Sequence, residues 1–139
     1  MKKVILVIAV AMMGILYSAK AQPNHHKIVF QFTNGHDTMQ QKAFVKQLQN
    51  LSEHWPDASY EVVVYNQGLE LVMNEKSKFI NEIKTLHQKG IRFVVCENTM
   101  KNRNISKEAF IPEVEYIKAG IAEIVERQEE GWTYIKGGF

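Results

Sequence analysis

One cysteine and three prolines are spread over 139 residues, and no apolar run reaches twenty. A single thiol cannot close an intramolecular bridge, so the fold must rest on a packed core rather than on covalent staples. With eight glycines and no Gly-X-Y period, collagen-like and low-complexity structures are excluded. Several enzyme signatures are missing as well: there is no GxSxG nucleophile elbow, no Walker phosphate loop, no GxGxxG turn and no HExxH or CxxC metal pattern. What remains is 45% hydrophobic and 23% charged, the profile of one globular domain rather than a disordered chain.

The amino-terminal segment stands apart. Lys2 and Lys3 precede an uncharged run from Val4 to Tyr17, which ends in Ser18, Ala19, Lys20 and Ala21. A positive start, an apolar centre and an A-x-A close form the pattern of a secretory signal peptide over residues 1–21. A bilayer-crossing helix needs about 20 apolar residues, so the run is too short for a retained anchor, and no cysteine follows it to take a lipid. The chain is therefore expected to be exported, periplasmic or secreted, with one mature domain over residues 22–139 and no membrane contact after cleavage. Without Lys2, Lys3 and Lys20 the basic residues fall from 17 to 14 against 15 acidic ones, a net charge of −1. Nucleic acid, which needs a phosphate-neutralising surface, is not an expected partner, and the short cluster Lys101, Arg103, Lys107 reads as a solvated turn.

Periodicity divides the mature chain into alternating elements. Ile28 to Phe32 reads as a strand ended by Asn34 and Gly35. Thr38 and Gln41 fit a capping box, and Phe44, Leu48, Leu51 and Trp55 then recur at helical spacing up to Pro56. Tyr60 to Tyr65 is β-branched and aromatic and is followed by a turn at Asn66, Gln67 and Gly68. A second helix carries Phe79, Ile80, Ile83 and Leu86 toward Gly90. Ile91 to Cys96 forms a third strand, Val114 to Ile117 a fourth, Ile121 to Val125 part of a helix ended by Gly131, and Trp132 to Ile135 a fifth strand. Apolar strands alternating with amphipathic helices predict an α/β fold: a three-layer α/β/α sandwich around a mostly parallel sheet of about five strands.

In such a sheet the carboxyl ends of the strands gather ligands, because the loops there are free and helix N-termini point their N–H groups inward. Asn34, His36 and Asp37 follow the first strand, Asn66 and Gln67 the second, and Cys96, Glu97, Asn98 and Thr99 the third. Cys96 alone is a strong nucleophile. Alternation puts Ile91, Phe93 and Val95 on one face and Arg92, Val94 and Cys96 on the other. A helical turn begun by Asn98 or Thr99 would favour thiolate, whereas the adjacent Glu97 would oppose it, and spacing does not decide between them. The bland alternative is a buried thiol acting as a small hydrophobe. No metal is expected: His36, His54 and His87 are far apart, and His25 and His26 follow Pro23, which has no N–H for an amino-terminal copper site. Asp37 and Glu97 are not singled out as a carboxylate pair, and the N-x-S sequons at Asn50 and Asn104 matter only where exported proteins are glycosylated.

Phe93, Val94, Val95, Cys96, then Glu97, Asn98, Thr99, Met100, Lys101, with Ile105, Ser106 and a later Gly120, Ile121, Ala122, Glu123, Ile124 before Gln128, Glu129, Glu130, Gly131, resemble the DsrE/DsrF-like sulfur-relay family. The Tyr65, Asn66, Gln67, Gly68 turn is similar to that family's strand-to-glycine turn, and the likeness runs over roughly residues 27 to 136. The resemblance implies a compact α/β fold assembled as a homotrimer or homohexamer, no cofactor, and a persulfide carried on Cys96 between donor and acceptor proteins. Around that thiol, Asn98 and Thr99 are expected to shape the environment, and Asn34 and Asn66 to line the pocket. Two readings compete with sulfur transfer. One is a non-catalytic oligomeric binding module in which Cys96 is structural; the other is thiol redox or soft-metal scavenging.

Overall fold

A computed structural model describes residues 25–138. The expected leader over residues 1–21 lies outside them. Strands β1 (Lys27–Phe32), β2 (Ser59–Val64), β3 (Arg92–Cys96), β4 (Val114–Ile117) and β5 (Thr133–Lys136) form one sheet in the order β4-β3-β2-β1-β5. Every neighbouring pair is parallel. The helices are α1 (Thr38–His54), α2 (Ile80–Gln88), α3 (Glu97–Asn102) and α4 (Gly120–Glu129), with short 3₁₀ segments at Asn66–Val72 and Lys107–Ala109.

Both faces of the sheet are covered, which is why the strands read as unbroken apolar runs. On the first face Phe30, Phe32, Val62, Val64, Phe93 and Val95 pack against Phe44 and Leu48 of α1 and Ile83 and Leu86 of α2. The Phe44 ring stacks on Phe32 at 4.6 Å between centroids and meets Phe30 edge-on at 5.6 Å, the two favourable aromatic geometries. The second face is smaller: Val29, Val63 and Val94 pack against Ile124 of α4, with Tyr65, Ile117 and Trp132 at the margin. The observed architecture is thus the expected sandwich, and the sheet is parallel throughout.

A buried ion cluster ties α4 down. Glu61 of β2, fully inaccessible to solvent, accepts from Arg127 Nε at 3.1 and 3.0 Å and also bonds Arg92 of β3. Arg127 reaches Glu123 at 2.7 Å and Glu130 at 2.9 Å, so its charge is shared among three carboxylates. Burial pushes the Glu61 carboxyl up, and the two guanidinium groups only partly offset that. The cluster lies toward the amino ends of β2 and β3, opposite the end that carries the loops.

Three local expectations change. The cap of α1 is Asp37, whose carboxylate accepts from Met39 N at 2.7 Å, while Gln41 turns inward and donates to the Gly35 carbonyl at 2.5 Å instead of closing a capping box with Thr38. The turn after β2 continues into the 3₁₀ segment, burying Leu69, Leu71 and Val72. The turn after β3 is helical from Glu97, one residue before the expected start, so Cys96 itself is the residue preceding α3.

Glycine is required where loops cross. A β-carbon at Gly68 would lie 2.7 Å from the carbonyl carbon of Phe32 and closer still to its oxygen. At Gly90, by contrast, φ is +93° and the space around is open. Gly68→Ala is therefore expected to cost about 3 kcal/mol or more through backbone displacement, and Gly90→Ala only about 1–2 kcal/mol for its left-handed backbone. Urea midpoints at constant slope measure the difference; equal losses would show that the crossing does not constrain the fold.

Candidate functional site

The chain leaves β3 and β4 toward opposite faces. After β3, α3 turns to the first face, where Met100 joins the large core; after β4, Lys118 and Ala119 lead into α4 on the second. Adjacent strands whose connections diverge in this way open a crevice at the carboxyl edge, the usual ligand position in α/β sheets. Cys96 lies at the bottom of this one, 5% exposed.

Its sulfur sits at the start of two helices. The Gly120 N–H, the first of α4, points at Sγ with the nitrogen 3.3 Å away. Gly120 permits that approach because a β-carbon there would press on Tyr65 Cδ1 and Val63 Cγ1 at 3.2 Å and on Cys96 Cβ at 3.4 Å. Burial pushes the thiol up, but the Gly120 N–H, the Thr99 hydroxyl and the N–H groups of Thr99 and Asn98 outweigh it, so the thiol ionises below its ordinary value. The Asn98 N–H is shared with the Lys118 carbonyl at 3.2 Å and contributes least. Glu97, the opposing influence next in sequence, pairs with Lys107 Nζ at 3.2 Å with its side chain 44% exposed, and is not among the largest influences on the thiol.

A second layer holds Thr99. Asn66, at φ +52°, occupies the left-handed region that asparagine tolerates. Its N–H donates to Thr99 Oγ1 at 3.3 Å, which leaves the single hydroxyl proton free to serve the sulfur. Its carbonyl accepts from Arg103 at 2.8 Å; Arg103 also bonds Glu70 at 3.2 Å, and Glu70 meets His36 Nδ1 at 3.2 Å. Arg103 and Lys107, two of the three charges in the basic cluster, are thus engaged with this chain's own groups.

Cys96, Asn66, Asn98 and Thr99 share a cavity of about 230 Å³, completed by Tyr65, Ala119, Gly120 and Ile121. At roughly 30 Å³ per water in the liquid, it has room for several atoms beyond the thiol. Asn34 is not part of its lining: it is exposed after β1, which β2 separates from β3, and the Gly35–Gly68 crossing packs between the two loops. Tyr65, Ala119, Gly120 and Ile121 are the wall residues that sequence reasoning did not single out for the site. Parity was the available signal for Tyr65, which shares the face of Val63 and therefore of Val94 and Cys96. Among the described residues no three His, Cys, Asp or Glu side chains converge on a point where a metal could bind. His26 lies tilted against Trp55 at 4.4 Å between centroids, and His54 meets the same ring edge-on at 4.9 Å.

The rate of Cys96 alkylation is expected to rise with pH about a midpoint below the ordinary thiol value, and Thr99→Val to move that midpoint upward. Because the folded state lowers the thiol pKa, the wild type should gain stability over Cys96→Ala as pH rises from the folded toward the unfolded thiol pKa, and lose it as pH falls back through the folded value. A Thr99→Val midpoint equal to wild type in iodoacetamide kinetics would remove the hydroxyl from the site.

The DsrE/DsrF-like family model matches residues 26–136, a span that contains all five strands, all four helices and Cys96. Among solved structures, a protein of unknown function from Methanobacterium thermoautotrophicum aligns with a TM-score of 0.75 and 26% identity, over 80% of this chain and 98% of that one. No curated protein matches the chain. A parallel five-stranded sheet in the order found here, matched by the family model over nearly every described residue, places the chain in the DsrE/DsrF-like family.

Proposed function

We propose that this protein is an exported sulfur carrier in which Cys96 accepts a sulfane sulfur and passes it on as a persulfide. The observation that carries the reading is the Gly120 N–H at 3.3 Å from a sulfur set at the start of two helices and facing a cavity. Family membership supports the chemistry, and Lys2, Lys3 and the Ala19-Lys20-Ala21 close support export.

The donor set suits both halves of a transfer. In loading, the Cys96 thiolate attacks a sulfane sulfur, the new S–S bond forms as the donor's S–S bond breaks, and the electron pair departs on the donor's remaining thiolate. In unloading, an acceptor thiolate attacks the outer sulfur and Cys96 leaves as thiolate. A low thiol pKa favours attack at neutral pH and makes Cys96 a better leaving group afterwards. The N–H groups that hold the thiolate also suit the negative persulfide. Asn66, Asn98 and Thr99 shape the pocket, and donor and acceptor proteins approach its mouth beside Ile121, which is 64% exposed.

The deep burial of the thiol, together with Val125 at 46% exposure beside Ile121 on α4, favours one other reading: a homotrimeric or homohexameric binding module in which Cys96 is only packed. In that case the thiol would alkylate only after denaturation, and Cys96→Ser would alter assembly.

Intact mass after incubation with inorganic polysulfide separates the two. The wild type is expected to gain whole sulfur atoms and Cys96→Ser none; no gain, or an equal gain on both, overturns the carrier. Expression in a bacterial host with a general secretion system is expected to yield exported protein beginning at Gln22, and a chain retaining residues 1–21 would overturn the export reading.

A further inference from the structure

A row of polar side chains crosses the second face from Cys96 to the edge of the sheet. Tyr65 follows Val64, whose partner in the parallel register is Val95, so Tyr65 stands beside Cys96. Gln31 is in register with Val63, and Tyr134 with Val29, so all lie on one face by strand alternation. The Gln31 side-chain NH₂ donates to the Tyr65 hydroxyl oxygen, and the Tyr134 hydroxyl donates to Gln31 Oε1. Both ends of the Gln31 amide are therefore committed. Tyr65 accepts with its oxygen, and among the described residues no acceptor takes its proton; the residue also lines the cavity that holds the thiol.

We infer that the Tyr65 hydroxyl is the proton donor to the thiolate leaving group when Cys96 is loaded from an alkyl persulfide, with Gln31 as its positioning residue. The inference rests on the carrier reading above. Cys96 thiolate attacks the outer sulfur of R–S–SH; the bond from Sγ to that sulfur forms as the R–S–S bond breaks, and the electron pair leaves on RS⁻. Tyr65 gives its proton to RS⁻, releasing RSH, and the tyrosinate takes the proton of the transferred sulfur, leaving Cys96–S–S⁻ and neutral Tyr65. One proton has moved from persulfide to thiol, and no outside oxidant or reductant is consumed. Burial first, then the neighbouring Tyr134 and the negative Cys96, push the Tyr65 hydroxyl up, so it holds its proton near neutral pH until a thiolate is expelled against it. An inorganic polysulfide expels a polysulfide anion, a weaker base than an alkyl thiolate, and has little need of that proton.

The test compares two donors on the full mature chain, cysteine persulfide and inorganic polysulfide, by the rate of sulfur mass gain on Cys96. Tyr65→Phe is expected to slow loading from cysteine persulfide about a hundredfold and loading from polysulfide far less, so that the ratio of the two rates falls. Gln31→Leu should show a smaller loss with the same selectivity, and it carries the test should the Phe variant melt early. Equal slowing with both donors, or no slowing with either, overturns the role of Tyr65 while leaving the carrier intact. Failure of the wild type to gain sulfur from either donor overturns the carrier and this inference together.

Discussion

The second face of the sheet depends on one ten-residue helix. α4 covers Val29, Val63 and Val94 with little apolar area of its own, Ile124 being its single buried large side chain. Its position is secured at the ends. Arg127 near the carboxyl end reaches the buried Glu61, and Gly120 at the amino end drops into contact range of Val63, Tyr65 and Cys96. A buried carboxylate stripped of its partners costs about 3–5 kcal/mol, so losing Arg127 would penalise any arrangement that keeps Glu61 charged and buried. With one end pinned at the floor of the sheet, the other is aimed: the helix axis carries the Gly120 N–H to the sulfur.

This explains why a thiol almost wholly withdrawn from solvent ionises more readily than a free one. Desolvation alone would raise its pKa, as it does for buried tyrosines such as Tyr60 in the same domain. The difference lies in where the donors come from. Most are main-chain groups at helix starts, oriented by the helices themselves, so their alignment requires no further ordering when charge appears on sulfur. Thr99 adds a hydroxyl whose direction is set by Asn66 rather than by chance rotation.

Much of this was legible in the sequence, for physical reasons. Parallel strands buried on both faces leave unmistakable apolar runs, and alternation in Ile91 to Cys96 correctly separated Phe93 and Val95 of the large core from Val94 of the small one. The 3₁₀ segment was not legible, because Leu69, Leu71 and Val72 follow neither a two-residue nor a 3.6-residue period. Nor was the choice between Asp37 and Thr38 as cap, since both side chains can accept a helix N–H. Asn34 was expected near the cysteine on the rule that strand ends gather, but the rule is blind to strand order, and β2 stands between. Tyr65 and Gly120 meet across the crossover from β4 to α4, a juxtaposition that no local pattern encodes.

The donors at Gly120, Thr99 and Asn98 include three peptide nitrogens, which belong to no particular side chain. A codon change can erase the carboxamide of Asn98 while leaving its amide hydrogen in place; short of proline, drift at that position reshapes the cleft without disarming the sulfur. Kinship among such proteins would therefore be better traced by superposing backbones than by aligning letters.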